Sequence, residues 1–187
     1  HFTSFCENNE KMYLISSKHL AIYNQQNGQV QYEEIPLDYS RLNCILSLGK
    51  DTIGIGTNNG IILFFAKSKQ FRNVEMHFNV MRLFEDSHNE LWLFSKEQRG
   101  IVRYDPLTNE QQHYETPTQN MPKAELRSRD VIFEDSQGTL WVVPHLGCLS
   151  YYDREDKELK PYYTDYSKPE SKFTPVILNF YVDNQKN

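Results

Sequence analysis

A pair of neighbouring carboxylates followed by a tryptophan occurs twice in this chain. Glu85-Asp86 precedes Trp92, and Glu134-Asp135 precedes Trp141. Two carboxyl groups can serve as acid and base in glycoside hydrolysis, and an aromatic ring can stack on a sugar. These residue types would therefore suit a carbohydrate site, either catalytic or purely binding.

The carboxylates belong to a longer repeat, and this favours a structural role. The segment from Phe84 to Trp92 returns from Phe133 to Trp141, and the two tryptophans stand 49 positions apart (141 − 92 = 49). Units of about 40–50 residues are typical of propellers, solenoids and arrays. A residue that recurs in each unit is more often a turn or packing residue than a catalytic group. We therefore predict turn-building carboxylates, tryptophans packed between units, no catalytic residue and no enzymatic activity.

Each strong copy reads as a strand, a polar turn, a strand that begins with Leu-Trp, a loop that ends in glycine, and two more strands. Asp and Asn in such turns bond their own backbone. Strands are expected at 81–84, 91–94, 101–104 and 111–114 in one copy, and at 131–133, 140–143, 148–152 and 159–162 in the other. Two weaker copies precede them, with strands at 12–16 and 20–23 and at 53–57 and 61–64.

Four strands per unit at this pitch predict an all-β fold, a partial β-propeller of about four four-stranded blades plus the first strand of a further blade. The repeats are expected at 1–38, 39–77, 78–127 and 128–173, with a truncated fifth repeat at 174–187. A β-sandwich also has many short strands. The matched turn, Leu-Trp and glycine positions favour the propeller.

Composition excludes several classes of function. The net charge is −5 and the basic residues are scattered, so no nucleic-acid contact is predicted. Neither the histidines nor Cys6, Cys44 and Cys148 have metal-ligand spacing, so no metal or cofactor is predicted. The cysteines are expected as buried free thiols, with a Cys6–Cys44 bridge as the alternative.

The strong copy from Phe133 to Trp141, with Gly147 and Tyr151-Tyr152-Asp153, resembles the two-component regulator propeller repeat. The segments 53–60 and 100–106 resemble it too, although Gly54 stands where the tryptophan would be. The resemblance implies the extracytoplasmic sensor region of a hybrid two-component histidine kinase of the kind common in gut Bacteroidetes. It implies a periplasmic location within an inner-membrane receptor, and oligosaccharides as the usual ligands. The turn also resembles the Asp-box of sialidases, which is a structural hairpin.

The family geometry places ligands at the loops between second and third strands and between blades. These loops differ from copy to copy, as binding loops do on a constant framework. The predicted ligand-binding residues are Asn58, Asn59, Lys96, Gln98, Arg99, His145, Arg127 and Arg129.

Three functions compete at this stage. The first is a segment of the periplasmic sensor that binds or relays a glycan signal across the membrane to regulate transcription. The second is a structural or protein-interaction propeller that mediates receptor dimerisation without touching ligand. The third is a propeller glycoside hydrolase. Expected partners are an oligosaccharide, the rest of the sensor propeller and a second copy, because open blade faces promote association, with two arcs pairing into a ring of about eight blades.

Overall fold

The regular structure of the chain is built from β-strands. The computed structural model describes residues 2–36, 41–95, 100–115, 131–143 and 149–162, and the regular elements in these ranges are all strands. They form four antiparallel four-stranded sheets, each made of four consecutive strands. This confirms the predicted all-β fold of four blades. The strand expected for a further blade, at 176–182, lies outside the described residues.

The four sheets are numbered as blades in chain order. Blade 1 consists of β1 (Ser4–Asn8), β2 (Lys11–Ile15), β3 (His19–Asn24) and β4 (Val30–Glu34). Blade 2 consists of β5 (Leu42–Leu48), β6 (Thr52–Thr57), β7 (Gly60–Phe65) and β8 (Gln70–Glu75). Blade 3 consists of β9 (Val80–Glu85), β10 (Leu91–Ser95), β11 (Ile101–Tyr104) and β12 (Gln111–Tyr114). Blade 4 consists of β13 (Val131–Glu134), β14 (Leu140–Val143), β15 (Ser150–Asp153) and β16 (Glu158–Pro161).

The chain divides into two compact units. The first comprises His1–Glu85 with Ser95–Glu97, and the second comprises Asp86–Phe94 with Gln98–Asn187. The first unit therefore holds blades 1 and 2 together with β9, and the second holds β10 to β12 together with blade 4.

The core of the first unit lies between blade 1 and blade 2. Side chains on a strand alternate between the two faces of the sheet, so Ile53 and Ile55 of β6 lie on one face and Gly54 and Gly56 on the other. The isoleucines belong to a buried cluster with Tyr13 and other residues of blade 1. The alternation in the sequence thus assigns one face of blade 2 to this core.

The glycine face of β6 lies against β9. A methyl group on Gly56 would stand 2.8 Å from the backbone oxygen of Val80, and one on Gly54 would stand 3.2 Å from Leu83. Gly54 takes the position that a tryptophan holds in blades 3 and 4. Here Leu48 of the same blade, 2.8 Å from such a methyl group on Gly54, and Leu83 of β9 fill the space that the indole ring would otherwise occupy.

The core of the second unit is aromatic. Trp92 has no exposed surface, and its ring lies 5.7 Å from that of Tyr114 and 4.8 Å from that of Tyr152. The hydroxyl groups of the two tyrosines are 3.0 Å apart and hydrogen-bonded. Because Tyr152 belongs to blade 4, this cluster joins two blades, and the prediction that Trp92 packs between repeats is confirmed.

Candidate functional site

The carboxylate of Asp86 organises its own hairpin. Its Oδ1 accepts the backbone N–H groups of His88 at 3.0 Å and Glu90 at 2.9 Å, and its Oδ2 accepts the indole N–H of Trp92 at 3.0 Å. The side chain is fully buried. The lone pairs of this carboxylate are therefore committed to holding the turn and the tryptophan.

Asp135 repeats the arrangement in blade 4. Its Oδ1 accepts the backbone N–H groups of Gln137 and Thr139, both at 2.9 Å, and its Oδ2 accepts the indole N–H of Trp141 at 2.8 Å. The six-residue spacing of Asp and Trp in the sequence is thus the spacing that brings an indole N–H onto the carboxylate across the hairpin. Both aspartates are turn residues, as the repeat indicated.

The protonation of these aspartates does not suit acid catalysis. Burial by itself raises the pKa of Asp86, but hydrogen bonds from Arg154, Trp92 and the Glu90 N–H outweigh it and leave the pKa below its ordinary value. Burial likewise raises the pKa of Asp135, and bonds from Trp141, Thr139 and Gln137 reverse the shift. A glycosidase acid needs a raised pKa. Both carboxyl groups are held as anions instead.

The glutamate that precedes each aspartate has a different task. Glu85 Oε2 accepts the backbone N–H of Gly49 in the turn of blade 2, at 3.1 Å. Glu134 accepts the backbone N–H and the hydroxyl of Ser87 in the turn of blade 3, each at 2.7 Å. Gly49 and Ser87 hold the same place in their turns. In each pair, the aspartate therefore closes its own turn and the glutamate ties its blade to the turn of the preceding one, so the two do not form a catalytic dyad.

Arg154 links these carboxylates and was not among the predicted site residues. Its guanidinium lies 2.9 Å from Asp86 Oδ2, 2.8 Å from Glu90 Oε2 and 3.7 Å from Glu134 Oε1. It also covers the ring of Tyr152 at 5.8 Å. One sequence signal could have found it, because Arg154 follows Asp153 where the other strong copy continues Asp105 with proline.

Two of the predicted ligand-binding residues, Asn58 and Asn59, lie in the described structure, on the turn between β6 and β7. The Asn58 N–H donates to Arg41 O and the Asn59 N–H donates to Thr57 Oγ1, at 3.3 and 3.1 Å. Both residues are half-buried. The remaining predicted residues lie outside the described ranges: Lys96, Gln98, Arg99, Arg127, Arg129 and His145.

Two further asparagines lie at the same end of the first unit, where β5 and β9 begin and β6 ends. Asn43 stands at a register shift between Leu42 and Cys44, which places it in a bulge. Its Nδ2 donates to Asn79 Oδ1 at 2.7 Å and to Val80 O at 2.9 Å. The prediction missed both. The one available signal was an asparagine inside the otherwise apolar run Leu42-Asn43-Cys44-Ile45.

This end of the first unit has spare hydrogen-bonding capacity. The Oδ1 atoms of Asn43 and Asn58 are enclosed and accept no hydrogen bond from the described residues. The Nδ2 of Asn43 faces a backbone carbonyl, which fixes the orientation of that amide and leaves its oxygen without a donor. Buried polar atoms are normally paired. We call the four asparagines Asn43, Asn58, Asn59 and Asn79 the amide cluster.

The thiols of the first unit are unreactive. Cys6 and Cys44 are free, as predicted, and no bridge joins them, although each is half-buried rather than fully buried. Burial raises the pKa of each thiol to about 12, and for Cys44 this outweighs the opposing hydrogen bonds and the charge of Arg82. Since the thiolate is the nucleophile, neither cysteine is suited to covalent catalysis. Cys148 lies outside the described residues.

The described residues hold neither a candidate metal cluster nor a candidate membrane-spanning helix. No group of three or more His, Cys, Asp or Glu side chains within them is arranged to hold a metal ion. Across the same ranges, no helix has the length and apolar character needed to cross a membrane.

Comparison with known proteins identifies the fold. No protein-family model matches the chain, and no curated protein matches it significantly. Among solved structures, one similar chain is the extracellular domain assigned to the hybrid two-component system BT4673 of B. thetaiotaomicron, with a TM-score of 0.67 and 17% identity. The match covers 100% of this chain and 25% of that domain, so this chain spans a quarter of its length.

Two other similar structures belong to different functional classes. A catalytically inactive variant of virginiamycin B lyase from Staphylococcus aureus, solved with quinupristin, matches with a TM-score of 0.68 and 14% identity, over 85% of this chain and 54% of the lyase. An auxiliary nutrient binding protein from Bacteroides thetaiotaomicron matches with a TM-score of 0.60 and 15% identity, over 86% of this chain and 40% of that protein. Since one fold serves a sensor, an enzyme and a binding protein, the likeness shows the fold alone.

Proposed function

We propose that this chain is part of the periplasmic sensor region of a hybrid two-component histidine kinase, and that the region binds or relays a glycan signal across the inner membrane to regulate transcription. The observation that carries the proposal is the match of the whole chain to the extracellular domain of such a system. The resemblance of the repeats to two-component regulator propellers supports it independently. An extracytoplasmic location follows from the same proposal.

Ligand contact, under this proposal, falls to the turns rather than to the repeat motif. The carboxylates of Asp86 and Asp135 are engaged by hydrogen bonds inside their own hairpins, and Asp86 is bonded by Arg154 as well. The amide cluster instead offers carbonyl oxygens that accept and N–H groups that donate. A sugar hydroxyl does both, so side-chain amides are well matched to it.

A glycan-binding screen on the complete extracytoplasmic region tests the sensor function. We expect at least one oligosaccharide class to bind, and we expect Asn58→Ala together with Asn59→Ala to weaken that binding about tenfold or more, the loss of one or two hydrogen bonds. Gln70→Ala is the matched control, because Gln70 is an exposed amide on the outer strand β8. Failure of every glycan to bind would overturn the sensor proposal. Binding that survives the double substitution would overturn only the role of Asn58 and Asn59.

A second function has a specific observation in its favour. Blade 1 exposes several large apolar side chains on one face, among them Phe5 and Tyr32, and such patches mark interaction surfaces. A structural or protein-interaction propeller that brings receptor copies together would use this face. The third candidate, a glycoside hydrolase, gains nothing from the repeated Glu-Asp pairs, because these four carboxylates are engaged within and between hairpins.

A further inference from the structure

Glycine follows asparagine at two places in the sequence, Asn27-Gly28 and Asn59-Gly60. Asparagine is a thermolabile residue, because the backbone nitrogen of the residue after it can attack its side-chain amide. Glycine leaves that nitrogen accessible, since it has no Cβ and adopts most backbone angles. Both pairs lie in turns between strands, so only their surroundings can distinguish the two asparagines.

Asn27 lies in the turn between β3 and β4, where both it and Gly28 are exposed. Gly28 has a φ of 70°, and nothing lies within 4 Å of the place that a Cβ would take. The equivalent turns of the other blades, at 67–69, 107–109 and 155–157, are exposed as well. Blade 2 is flanked within the first unit by blade 1 and by β9. The exposure of this turn is therefore a property of its place in a blade, whichever neighbours the blade has.

The hydrogen bonds of this turn favour attack on the Asn27 amide. Its Oδ1 accepts the backbone N–H of Gln29 at 3.0 Å, so a donor is in place for the negative charge that develops on this oxygen. The Gly28 N–H donates to Asn24 O at 2.9 Å, a bond within the same exposed turn. Such surface turns open at little cost in free energy. The attacking nitrogen, its target carbon and the stabilising donor thus lie together at an accessible position.

Asn59 is held by a different set of contacts. A ring between its side chain and the next nitrogen can close only if the peptide after Asn59 rotates. The Asn59 carbonyl accepts the Met76 N–H at 3.3 Å, and the Gly60 carbonyl accepts the Thr57 hydroxyl at 3.0 Å. Gly60 is also buried, and it pairs with Glu75 of β8. Reaction at Asn59 therefore requires the third and fourth strands of blade 2 to separate locally.

We infer that Asn27 is a site of spontaneous covalent modification, at which the side-chain amide becomes a carboxylate through a succinimide, and that Asn59 is protected from it. The Gly28 nitrogen loses its proton to hydroxide and bonds to Asn27 Cγ. The Cγ–Nδ2 bond then breaks, and the amide nitrogen leaves as ammonia. Water adds to one of the two carbonyls of the ring and opens it. The product at position 27 is aspartate or isoaspartate, according to which C–N bond breaks, and no oxidant or reductant takes part.

The modification changes the charge and the backbone of blade 1. It adds a negative charge to a chain whose net charge is −5, next to Gln26, whose amide donates to the Glu10 carboxylate. Isoaspartate also inserts one carbon into the backbone of the turn that joins β3 to β4. The inference needs no ligand and is independent of the proposed sensor function.

Peptide mapping by mass spectrometry, after incubation of the folded chain in mildly alkaline buffer, tests the inference. We expect the acid form to accumulate at position 27 roughly tenfold or more faster than at position 59, because Asn59 reacts only from locally opened states. In guanidinium chloride, where both turns are unfolded, the two rates should become similar. This second arm separates protection by the fold from any difference between the two local sequences.

Gly28→Ala tests the chemical route. A methyl group at this position has open space around it but hinders the attacking nitrogen, so the reaction at Asn27 should slow severalfold. Gln25→Ala is the matched control, because it changes an exposed side chain of the same turn and should leave the rate unchanged. Circular dichroism checks that both variants are folded. Absence of acid at position 27, equal rates at the two positions in the folded chain, or an unchanged rate in Gly28→Ala would each overturn the inference.

Discussion

At the residue scale, each carboxylate of the repeated Glu-Asp pair has its own set of partners. The aspartate satisfies two backbone N–H groups and one indole within its hairpin. The glutamate reaches the turn of the preceding blade. A pair that resembles an acid and base in the sequence is separated in function because neighbouring residues on a strand point to opposite faces.

Asp86→Ala should destabilise the chain more than Asp135→Ala. Both substitutions abandon two N–H groups and an indole, but Asp86 also pairs with the partly buried guanidinium of Arg154. We expect the free energy of unfolding to fall by about 3–5 kcal/mol for Asp86→Ala, because the guanidinium of Arg154 loses its partner, and by about 1–3 kcal/mol for Asp135→Ala. Urea unfolding followed by tryptophan fluorescence measures both. Equal losses would show that the arginine contributes nothing at this position.

At the element scale, the glycine that opens the third strand permits close approach of the fourth. Gly60 and Gly100 both have positive φ, at 117° and 105°, and both lie against the backbone of their own fourth strand. A methyl group on Gly60 would stand 2.9 Å from Met76 N and closer still to Val74 O. The glycine that recurs in the repeat is therefore required both by its dihedral angle and by the space available.

Gly60→Ala should cost several kcal/mol in unfolding free energy, because both the dihedral angle and the neighbouring backbone oppose it. Gly28→Ala is the control, since its φ of 70° is also positive but nothing lies within 4 Å of the added methyl group. It should cost about 1 kcal/mol, the dihedral penalty alone. Thermal unfolding of the two variants separates these effects. Similar values would indicate that the fourth strand moves aside without penalty.

At the scale of the whole molecule, charged contacts join successive repeats. Glu134 and Arg154 of blade 4 meet Ser87, Asp86 and Glu90 of blade 3. Such contacts depend on ionised carboxylates, whereas blades 1 and 2 are joined mainly by their apolar core, with the half-exposed ion pair Lys69–Glu33 beside it. Acid should therefore act first on the second unit.

The free energy of unfolding should fall as the solution is acidified below about pH 4–5. The folded-state pKa values of Asp86 and Asp135 are lowered, so the unfolded chain, where the pKa of Asp is about 3.9, binds more protons in this range. The stabilisation is complete above the unfolded pKa and is lost as pH falls through the folded one. Urea titrations between pH 3 and 8 measure it.

In that titration Asp86→Asn should reduce the fall in unfolding free energy at acid pH, which we call the acid limb. Glu155→Gln, at an exposed position, should leave the acid limb unchanged. Tryptophan fluorescence suits the measurement because both indoles donate to these aspartates. An acid limb that keeps its slope in Asp86→Asn would mean that other carboxylates carry the effect.

The sequence by itself determined the blade architecture and its hairpins. Alternating side chains, Asp-rich turns and a glycine at the third strand of the second, third and fourth repeats are local features, and their physical causes act within a few residues. The strand β12 has the bounds expected from the sequence, 111–114, which shows that such local rules can predict a strand to the residue. Gly54 read as a departure from the repeat, because one of the two leucines that fill its space, Leu83, is close in space but distant in sequence, while the other, Leu48, belongs to the same blade.

Only the tertiary structure decided which groups meet across repeats. Several features depend on how one blade is placed against the next. They are the bulge at Asn43, the hydrogen bond of its amide to Asn79, the contacts of Arg154 and the separate partners of Glu134 and Asp135. Such contacts join residues tens of positions apart, with no periodic signal to reveal them. The repeat motif that first suggested chemistry is thereby assigned to blade construction, and the polar turns and the open blade faces are left for function.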